Sequence, residues 1–284
     1  MIQAPDIGEV VLHHTADAYS IGIEPFFSYS WHKWPDTHLG VLTLNFTPTK
    51  HLILLIIAAL LVYLTMWIGG RRIKRRHEEG KGPAGFGAAI EGLVLWVRDD
   101  IVIANIGHDG PKFAPYILTL FLLILYCNLL GLLPHGATPT GNLAVTGALA
   151  VTAFLTIEIS GFRTLGAKGY LRTIFPKPPG LSGPGAAIMS LAMGPIEILG
   201  KIVKPFALAV RLFGNMTAGH FVILSLFGLI FIFGQLAWLR WPIGIVTAAL
   251  VFGIMLLELI VAFLQAYVFA LLTSVFIGLM QHEH

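Results

Sequence analysis

Six polar side chains suited to moving a proton lie within two long apolar runs in the C-terminal third of this chain. Glu197, Arg211, Asn215 and His220 lie in the run from Ala186 to Leu239, and Glu258 and Gln265 lie in the next, which ends at Met280. An ionisable group at the middle of a membrane costs about 2.5–3.5 kcal/mol on insertion scales, so each one needs a reason to be there. Arginine does not give up its proton, and Arg211 therefore places a fixed positive charge in the apolar zone. Histidine exchanges a proton near neutral pH, and a carboxylate at the same depth completes a pair that can hand one on. His220 and Glu258 could form such a relay or simply share a structural hydrogen bond. Together these residues are equipment for moving an ion.

The rest of the sequence is the apparatus needed to hold them in lipid. Of 284 residues, 56% are hydrophobic and only 12% are charged, against roughly 25% charged in soluble domains. Mean hydropathy is +0.80. Residues 1–50 read as an extracytoplasmic arm and 51–284 as a membrane domain, with spans expected at about 52–70, 113–133, 142–161, 186–237 and 243–280. The charged stretch 84–106 reads as an interfacial amphipathic helix, and 162–185, rich in glycine, proline and basic residues, as an irregular cytoplasmic loop. The fold class is all-α and polytopic, with about five transmembrane helices that include a long tilted C-terminal hairpin turning at Arg240-Trp241-Pro242. A break near Arg211 would raise the count to six. The basic cluster Arg71, Arg72, Lys74, Arg75 and Arg76 favours five, with the N-terminus outside and the C-terminus cytoplasmic. A pI near 9.0 does not signal nucleic acid, because the basic residues gather at the ends of apolar runs. The lone Cys127 excludes a disulfide within the chain and a cysteine-based zinc site.

Helical geometry arranges the polar residues. Glu197, Lys201, Lys204, Arg211 and Asn215 fall within roughly 40° to either side of one line along a helix, forming one stripe. Glu197 and Lys201 are spaced to pair at i,i+4, and Lys201 and Lys204 could instead snorkel to the membrane edge. In an antiparallel hairpin that turns near residue 239, Glu258 falls opposite about 221, beside His220, and Gln265 falls opposite about 214. Gly214 and Gly219 would let a second backbone come close to Arg211.

The segment Arg211-Leu212-Phe213-Gly214-Asn215-Met216 followed by Ala218-Gly219, with Glu197 fourteen residues before the arginine, resembles subunit a of the F-type ATP synthase. Leu264-Gln265-Ala266-Tyr267-Val268-Phe269 and Asn128-Leu129-Leu130-Gly131-Leu132-Leu133-Pro134 carry the same resemblance, which runs from about Leu52 to the C-terminus. It implies a non-catalytic stator subunit of the Fo sector, in an energy-coupling membrane such as the bacterial inner membrane. The implied partners are a rotating c-ring and peripheral-stalk b subunits. Two aqueous half-channels would carry H⁺, or Na⁺, with Arg211 facing the ring carboxylates and His220, Glu258, Glu197, Asn215 and Gln265 along the path. Some bacterial members place an acid where this chain has His220 and a histidine where it has Glu258, an exchange that preserves the pair. No P-loop is present, so nucleotide chemistry would belong to other subunits, and no cofactor is implied. A secondary transporter or channel would also bury charges but usually shows internal repeats, which are absent here. A haem- or quinone-binding subunit using His51 and His135 lacks a paired histidine spacing.

This topology places Arg240 on the outer side and the Arg71–Arg76 cluster inside. On a Cys127→Ser background, a cysteine at 240 should react with an impermeant reagent from outside only. Labelling from the cytoplasmic side would revive the six-span arrangement.

Overall fold

The computed structural model describes residues 20–23, 27–30, 32–33, 35, 37–39, 42–44, 47–82, 84–133, 138–176, 184–233 and 240–282. Two short antiparallel hairpins come first: β1 (Ser20–Ile23) with β2 (Phe27–Ser30), and β3 (Thr37–Leu39) with β4 (Leu42–Leu44). The rest of the described chain is helical: α1 (Lys50–Glu78), α2 (Phe86–Trp96), α3 (Ala114–Gly131), α4 (Leu143–Ile174), α5 (Pro184–Phe233) and α6 (Arg240–His282). Among the described residues, α1, α3, α4 and α6 are long and apolar enough to cross a membrane. At 1.5 Å per residue, the 50 residues of α5 extend roughly 75 Å, more than twice the hydrocarbon thickness. The chain is an all-α polytopic membrane protein.

Helix ends follow local chemistry. The α1 helix runs through the basic cluster and stops where Gly80 takes φ 64°, with the Lys81 N–H bonding the Arg76 carbonyl at 2.9 Å. That 6→1 bond is a Schellman cap, which needs a residue without a Cβ penalty. Just beyond, Lys81 and Arg75 hold the Glu79 carboxyl below the usual carboxylate range by hydrogen bonding to it. The stretch after α2 widens into a π-helix, Val97–Ile103, followed by a last α-turn, Ala104–Ile106. Its Arg98 and Asp99 pair with each other in the exposed zone at 2.9 Å, while Val97, Ile101, Val102 and Ile106 are buried.

Two boundaries differ from expectation. The α4 helix continues to Ile174 through a segment expected to be irregular, and its one non-helical residue is Gly166, at φ 67° and ψ 174°. Of the expected loop, 177–183 lies outside the described residues. The break near Arg211 that would have made six spans is absent, in keeping with the favoured five-span reading, and α5 is continuous through Pro195 and Pro205 although each lacks a backbone donor. Arg240 is the first residue of α6, with Pro242 in its first turn, where a missing N–H costs nothing. The expected turn at Arg240-Trp241-Pro242 is therefore helical, and residues 234–239 lie outside the described residues along with His135.

The chain divides into two compact units, each assembled from several segments. One comprises residues 1–61, 123–145 and 212–265. Its centre is Asn128, fully buried, whose Nδ2 donates to the Ala262 carbonyl at 3.2 Å while its Oδ1 accepts from Thr140 Oγ1 at 2.7 Å. Thr138 Oγ1 then has the Thr140 hydroxyl at 2.7 Å and the Cys127 carbonyl at 3.2 Å. His51, also buried, donates through Nδ1 to the Thr138 carbonyl at 3.0 Å. The other unit comprises residues 62–122, 146–211 and 266–284. There Trp96 stacks on Tyr267 with ring centres 5.7 Å apart and meets Phe121 edge-on at 5.8 Å. Gly278 lies so close to the Asn105 carbonyl that a side chain would displace backbone. Large apolar residues such as Ile56, Leu60, Phe206, Leu257 and Ile260 face outward, as lipid contact requires.

Asn128→Ala removes both amide bonds and leaves Thr140 without its acceptor in a dry site. The expected loss is about 1–3 kcal/mol, read as a lower thermal midpoint of the detergent-solubilised protein. An unchanged midpoint would show that this polar cluster does not hold its unit together.

Candidate functional site

The two units share out the polar residues of α5 and α6, with Asn215, His220, Glu258 and Gln265 in the first and Glu197 and Arg211 in the second.

In the first unit, the Glu258 carboxyl lies directly against the bare α-carbon of Gly219. Any Cβ at 219 would collide with Glu258 Oε1, so the glycine is what admits the acid between α5 and α6. The contact lies two residues from the register expected on sequence. Glu258 is 7% exposed, and its Oε1 has no hydrogen-bond partner among the described residues. Thr217 Oγ1, on the same stretch of α5, is in the same condition. Buried polar atoms are costly without partners, and Glu91 Oε2 and the Tyr116 hydroxyl, on α2 and α3, share that condition. His220 is half-buried and close enough for its charge to act on Glu258, though no hydrogen bond joins them. Its Nδ1–H donates to the Met216 carbonyl at 3.0 Å. A carbonyl only accepts, so Nδ1 carries a hydrogen, and in the neutral ring the lone pair is then on Nε2. Gln265 is buried and Asn215 exposed.

In the second unit, Arg211 is exposed and has neither an ion pair nor a hydrogen bond among the described residues. Val210, Phe206, Val203 and Ile202 beside it on α5 are exposed apolar side chains.

Glu197 is half-buried and lines a pocket with Glu158, Lys201, Lys204, Phe276 and Met280. The expected pair between Glu197 and Lys201 does not form. Lys201 is 9% exposed, turns to α4, and places Nζ 3.6 Å from Glu158 Oε2 and 2.9 Å from Thr173 Oγ1. The Tyr170 ring lies 4.6 Å from the same ammonium, and the Tyr170 hydroxyl donates to Glu158 Oε2. Lys204, which is exposed, sets Nζ 5.1 Å from the Phe276 ring centre. Sequence reasoning passed over Glu158, although it is an acid inside the third apolar run and meets the criterion applied to the other six. Its partners were hidden because residues 158 and 170 on an unbroken helix would lie about 18 Å apart along the axis. The non-helical Gly166 brings Tyr170 back to Glu158.

The profile of the ATP synthase A chain family matches residues 51–278. The chain belongs to that family. It is 42% identical over 274 residues to ATP synthase subunit a 2 of Chlorobaculum tepidum, covering 96% of this chain and 72% of the relative. It is 46% identical over 246 residues to ATP synthase subunit a of Myxococcus xanthus, covering 85% of this chain and 76% of the relative. The subunit a of Chloroherpeton thalassium is 40% identical over 273 residues, covering 96% and 77%. The matched family region holds every polar residue described above, whereas β1 to β4 precede it.

Gly166 adopts a backbone region that other residues reach only at about 1–3 kcal/mol. Gly166→Ala should lower the thermal midpoint accordingly, and Gly166→Ala combined with Tyr170→Phe should lose little more, since the first change already separates Tyr170 from Glu158. Fully additive losses would show that the bend and the tyrosine act independently.

Proposed function

We propose that the chain is the proton-translocating stator subunit of an F-type ATP synthase, with Arg211 facing the carboxylates of a rotating c-ring. The observation that carries this reading is an exposed arginine, unpaired among the described residues, on a long helix whose neighbouring surface is apolar. A cation so placed in lipid is untenable alone, and a partner must bring the opposite charge. A ring of membrane helices bearing one acid each fits that need. Gly214, with open space where its side chain would be, keeps the surface low beside Arg211.

On this reading a proton comes from outside by way of His220 and Glu258 and neutralises a ring carboxylate. Nε2 of His220 takes the proton, and Glu258 Oε1, unpartnered among the described residues, receives it. Asn215 and Gln265 supply neutral polar groups along the way. After nearly a full turn the ring carboxylate releases its proton past Glu197 toward the cytoplasm. Arg211 draws in the ionised ring acid and bars a direct crossing between the two half-channels. Each charge moved through 100 mV supplies about 2.3 kcal/mol, so several steps must be gathered for each ATP made elsewhere in the complex. The family relationship supports the setting: c-ring and peripheral-stalk b subunits as partners, and an energy-coupling membrane such as the bacterial inner membrane.

Arg211→Ala should abolish ATP synthesis driven by an imposed proton gradient while leaving the complex assembled on immunoblots. Arg211→Lys should fail as well, because lysine lacks the planar fork and can lose its proton when desolvated. Near-normal synthesis by the alanine variant would remove Arg211 from the mechanism.

A further inference from the structure

We propose that Glu158 is a positioning residue for the proton path, holding Lys201 away so that the Glu197 carboxyl stays free to gain and lose a proton. The proposal rests on the reading above, in which Glu197 lies on that path. Glu197 and Lys201 are four residues apart on α5 with the acid nearer the N-terminus, the favoured orientation for a helical ion pair. A carboxylate held against an ammonium keeps its charge and passes protons poorly.

The structure diverts the cation. Lys201 is committed to Glu158, Thr173 and the Tyr170 ring, all on α4. Thr173 can accept from it because the threonine hydroxyl proton is donated to the Tyr170 carbonyl at 2.8 Å. Glu158 is steadied from its other side by the Tyr170 hydroxyl. Glu197 is left with no ion pair or hydrogen bond among the described residues, although it lines the same pocket. The charged groups facing that pocket are Lys201 and Lys204 from α5 and Glu158 from α4, while α6 contributes the apolar Phe276, Leu279 and Met280. Lys204 is turned to the Phe276 ring, so both cations of the pocket have partners other than Glu197. A buried ion pair seldom stabilises a fold more than apolar residues of the same size would. Keeping one here, completed by two further polar groups, is accounted for by what it withholds from Glu197.

The test uses the assembled complex in membrane vesicles, with ATP synthesis driven by an imposed proton gradient. E158Q should lower the rate several-fold, because Lys201 is released to pair with Glu197. K201Q should run near the parental rate, and E158Q/K201Q should be restored to near it. A parental rate for E158Q, or a double variant as slow as E158Q alone, would overturn the proposal. If E158Q does not assemble, Y170F/T173V keeps every charge while loosening Lys201; it too should be slow and be restored by adding K201Q, and a parental rate there would be a refutation. E197Q serves as the separate control. Normal synthesis by E197Q would remove Glu197 from the path and overturn both readings, whereas an impaired E197Q beside an unrescued E158Q would overturn this inference alone.

Discussion

Removing a polar group from water costs free energy unless something in the protein replaces the water, and in lipid that something must be built into the chain. Most of the buried polar groups described here meet the demand in full. Asn128 is bonded through both ends of its amide, His51 reaches a carbonyl, and Lys201 has a carboxylate, a hydroxyl and a ring around one ammonium. Against that background four buried atoms lack a partner among the described residues, Glu91 Oε2, the Tyr116 hydroxyl, Thr217 Oγ1 and Glu258 Oε1, and so does the exposed guanidinium of Arg211. Glu91 and Tyr116 belong to α2 and α3, whereas Thr217, Glu258 and Arg211 belong to α5 and α6, the two helices that also hold Glu197 and His220.

Glycine sets the geometry of both polar regions, by different means. At Gly219 the missing side chain makes room for a carboxylate between two helices, and the backbone stays helical. At Gly166 the requirement is conformational, a positive φ that ends one helical stretch and starts another. Neither glycine touches an ion itself, yet each determines where an acid can be.

The all-α architecture, the helical hairpin and the long uninterrupted run through Arg211 were legible because apolar length and basic end-clusters respond directly to the membrane. The six polar residues were legible for the same reason, since each violates an otherwise apolar pattern. Helix ends were less so: the α1 helix continues through Arg71–Arg76 because lysine and arginine are good helix formers once outside the lipid. The part of the 162–185 segment up to Ile174 was misread as irregular because its glycines were counted as loop signals, when among the described residues of α4 only Gly166 leaves the helical region. The Glu197–Lys201 pair was expected from spacing on one helix, and it failed because a second helix, reached through a bend that periodicity does not reveal, offered Lys201 a better carboxylate.

That bend also binds three positions into a single inheritance. Lysine at 201 is tolerable only while an acid stands at 158, and the tyrosine that steadies the acid arrives only while residue 166 is glycine. A lineage that lost the acid first would turn the lysine onto Glu197, so the lysine should be the first to go and the last to be acquired. Among relatives, an apolar residue at the position of Lys201 should therefore release its two distant companions to drift, and the three together would mark descent more sharply than any of them alone.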